Sequence, residues 1–350
     1  MNILVTGGCG FIGNALVRLL VADGHLVGNV DKLTYAASPA ALLDLDDHPR
    51  YRFWQTDISD RHALGRILEE LRPEAIFHLA AESHVDRSIE GPRPFVETNV
   101  LGTYTLLETV RTHLSTLNEL QQPKFRLIHI STDEVFGSIP EGEYAEETRR
   151  YDPSSPYAAT KAAADHLVRA WSRTYGLPTI VCNCSNNYGP WQFPEKLMPL
   201  MIIKALKGQE LPIFGDGLQV RDWIHVDDHV AALLAIMRQG EPGASYNISA
   251  KDECTNIALV SAICDRLDAI AGPLSSGLPR LELVRHVADR PGHDRRYGLS
   301  AERLRQDLGW QPTRRLKSSL DDIIDWYLEH ETWWQPLMKR PDPISRKGAR

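Results

Sequence analysis

The sequence predicts an α/β fold, a Rossmann-like doubly wound parallel sheet with a smaller mixed α/β C-terminal substrate lobe. Three observations predict it. Short apolar runs alternate with helical patterns through the first half, glycines crowd the first strand-to-helix turn, and the alternation breaks after Asn186 into Gly- and Pro-rich sequence. Residues 3–6 read as the first strand. The apolar positions Phe11, Ile12, Ala15, Leu16, Leu19 and Leu20 then recur at close to 3.6 residues, as in a helix with one buried face. Further strands are expected at 26–30, 52–55, 75–79, 125–131 and 179–184, with helices at 60–71, about 94–113, and 156–175.

The second half reads as a helical stretch at 197–207 inside a Gly- and Pro-rich region (189–221), a helix at 225–237 and a short strand at 245–248. Beyond these come a helix at 257–267, a polar loop at 272–279, a strand near 281–284, and helices near 300–308 and 320–330. The expected division is a cofactor domain of residues 1–188 with 222–250, a substrate lobe of 189–221 and 251–338, and a frayed basic tail at 339–350.

Composition narrows the class. The chain has 350 residues, 43% hydrophobic and 24% charged, so a packed core needs neither disulfide nor metal. A formal net charge of −7 argues against nucleic acid or anionic lipid as partner. No stretch of about eighteen apolar residues predicts a membrane span, and the opening residues lack a signal peptide's basic flank. The five cysteines are odd in number and irregularly spaced, which suits reduced thiols in a cytoplasmic enzyme. Cys182 and Cys184 fall on one face of a strand, as buried small hydrophobes rather than metal ligands, and no metal is expected.

The chemistry is written in two motifs. Gly7, Gly10 and Gly13 form G-x-x-G-x-x-G between a strand and a helix. Gly7 permits the turn, Gly10 lets backbone approach a pyrophosphate, and Gly13 lets the helix pack closely. The N–H groups of Phe11 and Ile12 then face an anion. Asp31 closes the second strand, where a carboxylate accepts from ribose hydroxyls and repels a 2′-phosphate, so NAD is favoured over NADP. Lys32 runs against that preference, because a lysine can pair with such a phosphate. Asp57 and Ile58 are placed to hold adenine, with a simple helix cap as the plainer reading of Asp57. Tyr157 and Lys161 form Y-x-x-x-K on one helix face. A phenol is too weak an acid to serve as a base at neutral pH unless a cation favours its anion, and Lys161 supplies one. Tyr157 is then a general base for a sugar hydroxyl.

The runs DKLTYA (31–36), HLAAESHVDRSI (78–89), STDEVFG (131–137), SPYAATKAAADHLV (155–168), NCSNNYGPWQFPEKL (183–197), RDWIHVDDH (221–229) and VADRPGHDRRY (287–297) resemble the extended short-chain dehydrogenase/reductase family, in particular its nucleotide-sugar 4,6-dehydratases. The resemblance covers nearly the whole chain. It implies C4 oxidation of a nucleoside-diphosphate glucose by NAD, loss of water across C5 and C6, and hydride return to C6, with dTDP-glucose as the implied substrate. Glu134 would take the C5 proton, Asp133 would protonate the departing C6 oxygen, and Thr132 would bind the C4 oxygen and orient Tyr157. Two adjacent carboxyls can divide such work if their surroundings separate their acidities.

The same resemblance places Lys32, Leu33 and Thr34 at the adenosine, Leu79, Ala80, Ala81 and Thr98 along NAD, and Asn187 near it. Glu82 and Ser83 fall near the sugar. Asn186, Lys196, Leu197, Arg221 and Asn256 would hold the diphosphate, with Pro212, Ile213 and Phe214 beside the nucleotide. Asp289, Arg290, Pro291, Gly292, His293 and Tyr297 would line the nucleotide pocket. A homodimer joined through a four-helix interface, built from the helices containing residues 99–113 and 158–175, is also implied. A C4 epimerase, a UDP-glucose dehydratase and an NAD-sensing binding protein are the competing readings. Asp133 and Glu134 speak against the epimerase, and the intact Tyr157–Lys161 pair against the sensor.

Overall fold

In a computed structural model, which describes residues 1–118 and 120–338, the first half and one late strand build a seven-stranded sheet. Its strands are β1 (Asn2–Thr6), β2 (Leu26–Asp31), β3 (Tyr51–Gln55), β4 (Ala75–His78), β5 (Arg126–Thr132), β6 (Thr179–Cys184) and, after β7 (Asn186–Tyr188), β8 (Leu211–Phe214) and β9 (Val220–His225), the late strand β10 (Ser245–Ile248). The order is β10-β6-β5-β4-β1-β2-β3, with every pairing parallel. The doubly wound sheet expected from the alternation is therefore present. Its order reverses between β1 and β4, where α/β sheets of this kind open a crevice at the strand C-termini.

Both faces are covered, as the continuous apolar strands require. Ile3 and Val5 of β1 enter one core with Ile128 and Ile130 of β5 and Ile180 and Cys182 of β6, against α1 (Phe11–Ala22). Leu4, Leu127 and Val181, the alternating positions, enter the opposite core. There they meet α2 (Arg61–Leu71), which Asp60 caps by accepting from the Ala63 N–H. Past α3 (Val85–Glu90), α4 (Arg93–Phe95) runs through a π-helical stretch, Val96–Gly102, into α5 (Thr103–Leu114). The single helix expected here thus carries a local widening, a feature that often marks a functional site. α6 (Pro156–Tyr175) starts on Ser155, whose hydroxyl accepts from the Ala158 N–H, and stops at Gly176 with φ 68°.

The second half differs more from expectation. Residues 211–214 and 220–225 are strands within the region read as irregular. β9 pairs parallel with β7 and antiparallel with β11 (Glu253–Thr255), while β8 pairs with β12 (Val284–Val287). The strand expected at 281–284 sits later because Arg280 turns the preceding residues. Its N–H and guanidinium hold Asp268, and its Nε donates to Ala205 O at 3.1 Å. α7 (Leu197–Leu206), α9 (Asn256–Ala271) and α11 (Leu316–Glu329) share a third core, whereas α8 (Val226–Gln239) and α10 (Glu302–Leu308) return to the large sheet. α12 (Glu331–Met338) is an unexpected helix, held by the Trp334 indole donating to Tyr327 O and the Trp333 indole reaching Ser38 Oγ. The tail at 339–350 lies outside the described residues.

Leu20 is fully buried between α1 and the sheet. Leu20→Ala should cost about 2–5 kcal/mol of unfolding free energy in urea titration. A loss below about 1 kcal/mol would show that this face is not close-packed.

Candidate functional site

The glycine turn is shaped by contact rather than by ligand. Gly7 has φ 75°, and a Cβ there would stand 2.7 Å from Ala80 N. A Cβ on Gly13 would stand 2.1 Å from Gly7 O, so the first turn of α1 can lie on the loop only as glycine. Gly10 is the N-cap and makes no side-chain cap, which leaves the first N–H groups of α1 open towards the crevice. Gly8, not singled out from the sequence, is equally constrained: its Cβ would meet Asn29 Oδ1 at 2.2 Å.

Asp31 ends β2 buried, with Oδ2 accepting from Cys9 N and Oδ1 from Leu33 N. Burial pushes its carboxyl up, against these two N–H donors and Lys32. Lys32, read as a possible phosphate partner, is engaged elsewhere. Its Nζ donates to Thr98 Oγ1 at 2.9 Å and lies 3.6 Å from Glu82 and 3.7 Å from Asp57. Two carboxylates thus answer its charge.

Most of the expected cofactor residues, from Gly7, Gly10 and Gly13 through Asp31, Thr34, Ile58, Ala80 and Thr98 to Asn187, line one cavity of about 300 Å³. Leu33 and Asp57 stand outside that lining. Leu33 packs against the core below, and Asp57 accepts from the Ser59 N–H in the turn entering α2, nearer to the plain capping reading.

Thr132, Asp133, Glu134, Tyr157 and Lys161 line the same cavity. Strand β5 delivers the first three. Thr132 is its last residue, and its hydroxyl accepts from Glu134 N at 3.3 Å, so the chain turns sharply and presents both acids. Helix α6 delivers the other two. Tyr157 is anchored through its N–H to Ser88 Oγ of α3, and Lys161 Nζ donates to Ile130 O at 2.7 Å.

The acidities of these groups are pulled apart. Burial, with Glu134 beside it, pushes Asp133 well above the carboxylate range, and its Oδ2 has no hydrogen-bond partner. Burial also raises Glu134, but the charges of Arg290, Arg221 and Lys196 oppose the rise. Burial and Glu134 hold the Tyr157 phenol well above its ordinary value, which the Thr132 hydroxyl counters. The sequence argument anticipates the opposite direction for this phenol. The lysine's own charge is weakened by burial, and Lys161 is seated on a carbonyl.

A second cavity, of about 750 Å³, adjoins the first; Glu134, Asn186 and Lys196 line both. Ser83, Leu197, Pro212, Ile213 and Phe214 face it, as do Arg221, Asn256, Arg290 and His293. Asn186 Oδ1, Asn256 Oδ1 and Arg290 Nε are buried without partners, a donor and two acceptors waiting at its wall. Arg221 lies over the Tyr297 ring at 4.2 Å and donates to the Val220 and Asp294 carbonyls, which aims it without neutralising it.

Other expected residues stand behind the wall. Glu82 faces Lys32 and is clamped by Asn99, which bonds both its N–H and its carbonyl. Asp289 pairs with His293, and Tyr297 donates to Asp294. Gly292, next to Pro291, turns with φ 65° against Ser154. Sequence reasoning missed Asn99, which the π-helical stretch turns inward and which also donates to Thr160 Oγ1. A polar residue on a helix's buried face was its only signal.

A glycine-cradled parallel sheet whose C-terminal edge brings a Tyr–Lys pair against two acids, beside a cation-lined second cavity, defines a Rossmann-type sugar-nucleotide enzyme. The chain belongs to the GDP-mannose 4,6 dehydratase family, whose profile matches residues 4–323. It is 50% identical over 351 residues to the dTDP-glucose 4,6-dehydratase of Neisseria meningitidis serogroup B, covering 99% of each chain. The dTDP-glucose 4,6-dehydratase of Streptomyces venezuelae, crystallised with NAD bound, superposes with a TM-score of 0.88 at 42% identity over 96% of this chain and 100% of that one. The Bacillus anthracis enzyme of the same name, in complex with NAD, gives 0.85 at 40% identity over 96% and 99%.

Gly13→Ala forces the loop and helix apart. NAD titration followed by fluorescence should show at least about a ten-fold weaker Kd. An unchanged Kd would show that the close approach is not what forms the cradle.

Proposed function

We propose that this enzyme converts dTDP-glucose to dTDP-4-keto-6-deoxyglucose with NAD retained through the cycle, supplying deoxysugar synthesis such as that of rhamnose. The observation that carries the proposal is the single cavity shared by Thr132, Asp133, Glu134, Tyr157 and Lys161. Relatives half identical over the full length support thymine as the base. The residues present fit the cofactor. The uncapped N-terminus of α1 and the glycine loop line the cavity, Asp31 ends β2 there, and Lys32 is already paired, which suits ribose hydroxyls over a 2′-phosphate.

Bound there, NAD would supply oxidation at C4 and reduction at C6. Tyr157 takes the C4 hydroxyl proton, aided by the Lys161 ammonium, and Thr132 holds the C4 oxygen. A ketone at C4 acidifies the C5 hydrogen, so Glu134 has a proton to remove only after oxidation. Three neighbouring cations let Glu134 carry the charge a base needs, whereas burial keeps Asp133 protonated to meet the departing C6 oxygen. Arg221, Lys196, Asn186 and Asn256 hold the diphosphate, with Arg290 and His293 towards the nucleoside.

Residues 1–188 with 222–250 serve the cofactor, and 189–221 with 251–338 the nucleotide sugar. The core shared by α7, α9 and α11 supports the second group, whereas α10 packs on the large sheet and Trp223 enters the smaller core. Leu101 on the π-helical stretch, Tyr104 on α5 and Tyr175 on α6 are exposed and support a homodimer through four helices. Among the described residues no helix is long and apolar enough to cross a membrane. Five unpaired thiols support the cytoplasm as its compartment.

Incubation with NAD and dTDP-glucose, followed by alkali, should develop the absorbance of a 4-keto sugar, and UDP-glucose should serve poorly. A dTDP-galactose product, or none, would overturn the assignment. Glu134→Gln should retain NAD reduction on mixing with substrate yet lose solvent exchange at C5 by about 100-fold or more. In the wild type that exchange should fall as pH drops through the raised Glu134 pKa, because only the carboxylate is a base. Wild-type exchange in the variant would remove Glu134 from this role.

A further inference from the structure

Beneath the site lies a buried polar cluster that the proposed mechanism does not use. Asp165, one turn beyond Lys161 and two beyond Tyr157 on α6, is fully buried and lines neither cavity. Its carboxylate is saturated. Oδ1 meets His129 Nε2 at 3.0 Å, while Oδ2 accepts from Ser131 Oγ at 2.8 Å, Tyr151 OH at 2.8 Å and Asn183 Nδ2 at 3.3 Å. The same Asn183 amide donates to Thr132 O at 3.2 Å, and Arg169, a further turn along, donates to Tyr151 OH at 2.7 Å.

Resting on the function proposed above, we infer that Asp165 is a positioning residue for the Tyr157–Lys161 pair: it is the buried counter-charge that keeps the Lys161 ammonium charged on the Ile130 carbonyl. A buried cation with one carbonyl for a partner loses most of its hydration and discharges unless an anion answers it. Asp165 is that anion. Burial would raise its carboxyl, but the His129 hydrogen bond, the Lys161 charge and the Tyr151 hydrogen bond outweigh burial and hold it below its ordinary range. Burial drives Lys161 down, and Asp165 is the chief group opposing it.

The other ionisable groups facing the pair do not replace it. His78 of β4 and His129 of β5 are both lowered by burial and stay neutral. Cys182 and Cys184 of β6 are raised by burial and stay thiols, as Tyr151 stays a phenol. Arg169 is tied to Tyr151 and Ser245. Without Asp165 the chief group opposing burial is gone, so Lys161 is held lower still and Tyr157 loses part of the charge that favours its anion.

The test is reduction of bound NAD on rapid mixing of the holoenzyme with dTDP-glucose, from neutral to alkaline pH. Asp165→Asn, nearly isosteric, should lose about ten-fold or more at neutral pH, regain rate as pH rises, and keep KM within about two-fold. A profile like that of wild type, a loss equal at every pH, or a raised KM with unchanged kcat would overturn the inference. Should Asp165→Asn fail to fold, Tyr151→Phe removes a single hydrogen bond from the carboxylate and must move the profile the same way. An unchanged profile in the folded Tyr151→Phe enzyme overturns the inference too. An inert wild type would fell the proposed function itself, which separates that failure from this one.

Discussion

The architecture of the site depends on a lysine buried under a strand. Lys161 is only 5% exposed, and its ammonium finds a carbonyl two residues before the end of β5. A charge so placed tolerates little displacement, since moving it off its partners leaves an unsolvated cation costing several kcal/mol. That intolerance locks α6 against β5. It also fixes where Tyr157 stands relative to Thr132 and the two acids that follow.

Around this anchor the protein separates groups of the same chemical type. Asp133 and Glu134 are neighbours in the chain, yet only Glu134 reaches the second cavity, where Arg221, Arg290 and Lys196 gather. Adjacent carboxyls of equal acidity would titrate together and could not act as an acid and a base at one pH. The separation comes from position alone: one side chain turns into the protein and the other towards Lys196, Arg221 and Arg290, which lie far along the chain.

Much of the fold was legible because it repeats. The expected strands of the large sheet all formed, since apolar runs that must be covered on both faces leave few alternatives. Legibility failed where pairing is long-range. Strand β8 contains Pro212 and β9 contains Arg221, Asp222 and His225, so neither reads as an apolar run, and they exist because distant partners, β12, β7 and β11, lie beside them. The site divides likewise. Asp165 continues the every-fourth-residue spacing of Tyr157 and Lys161 and could have been noticed on that ground. Asn99 could not, because only a π-helical stretch turns it towards Glu82.

By itself the sequence determined the sheet, the glycine turn and the Tyr157–Lys161 pair, because each is a local pattern: glycines where a Cβ cannot fit, and a tyrosine and lysine one helical turn apart. Tertiary structure alone decided how those groups are charged. Lys32 is spoken for by Glu82 and Asp57, Tyr157 is pushed up by burial and by Glu134 facing it, and Arg221 is aimed by carbonyls. Acidity depends on burial and on charges within a few ångströms, and those neighbours come from parts of the chain that no local pattern connects.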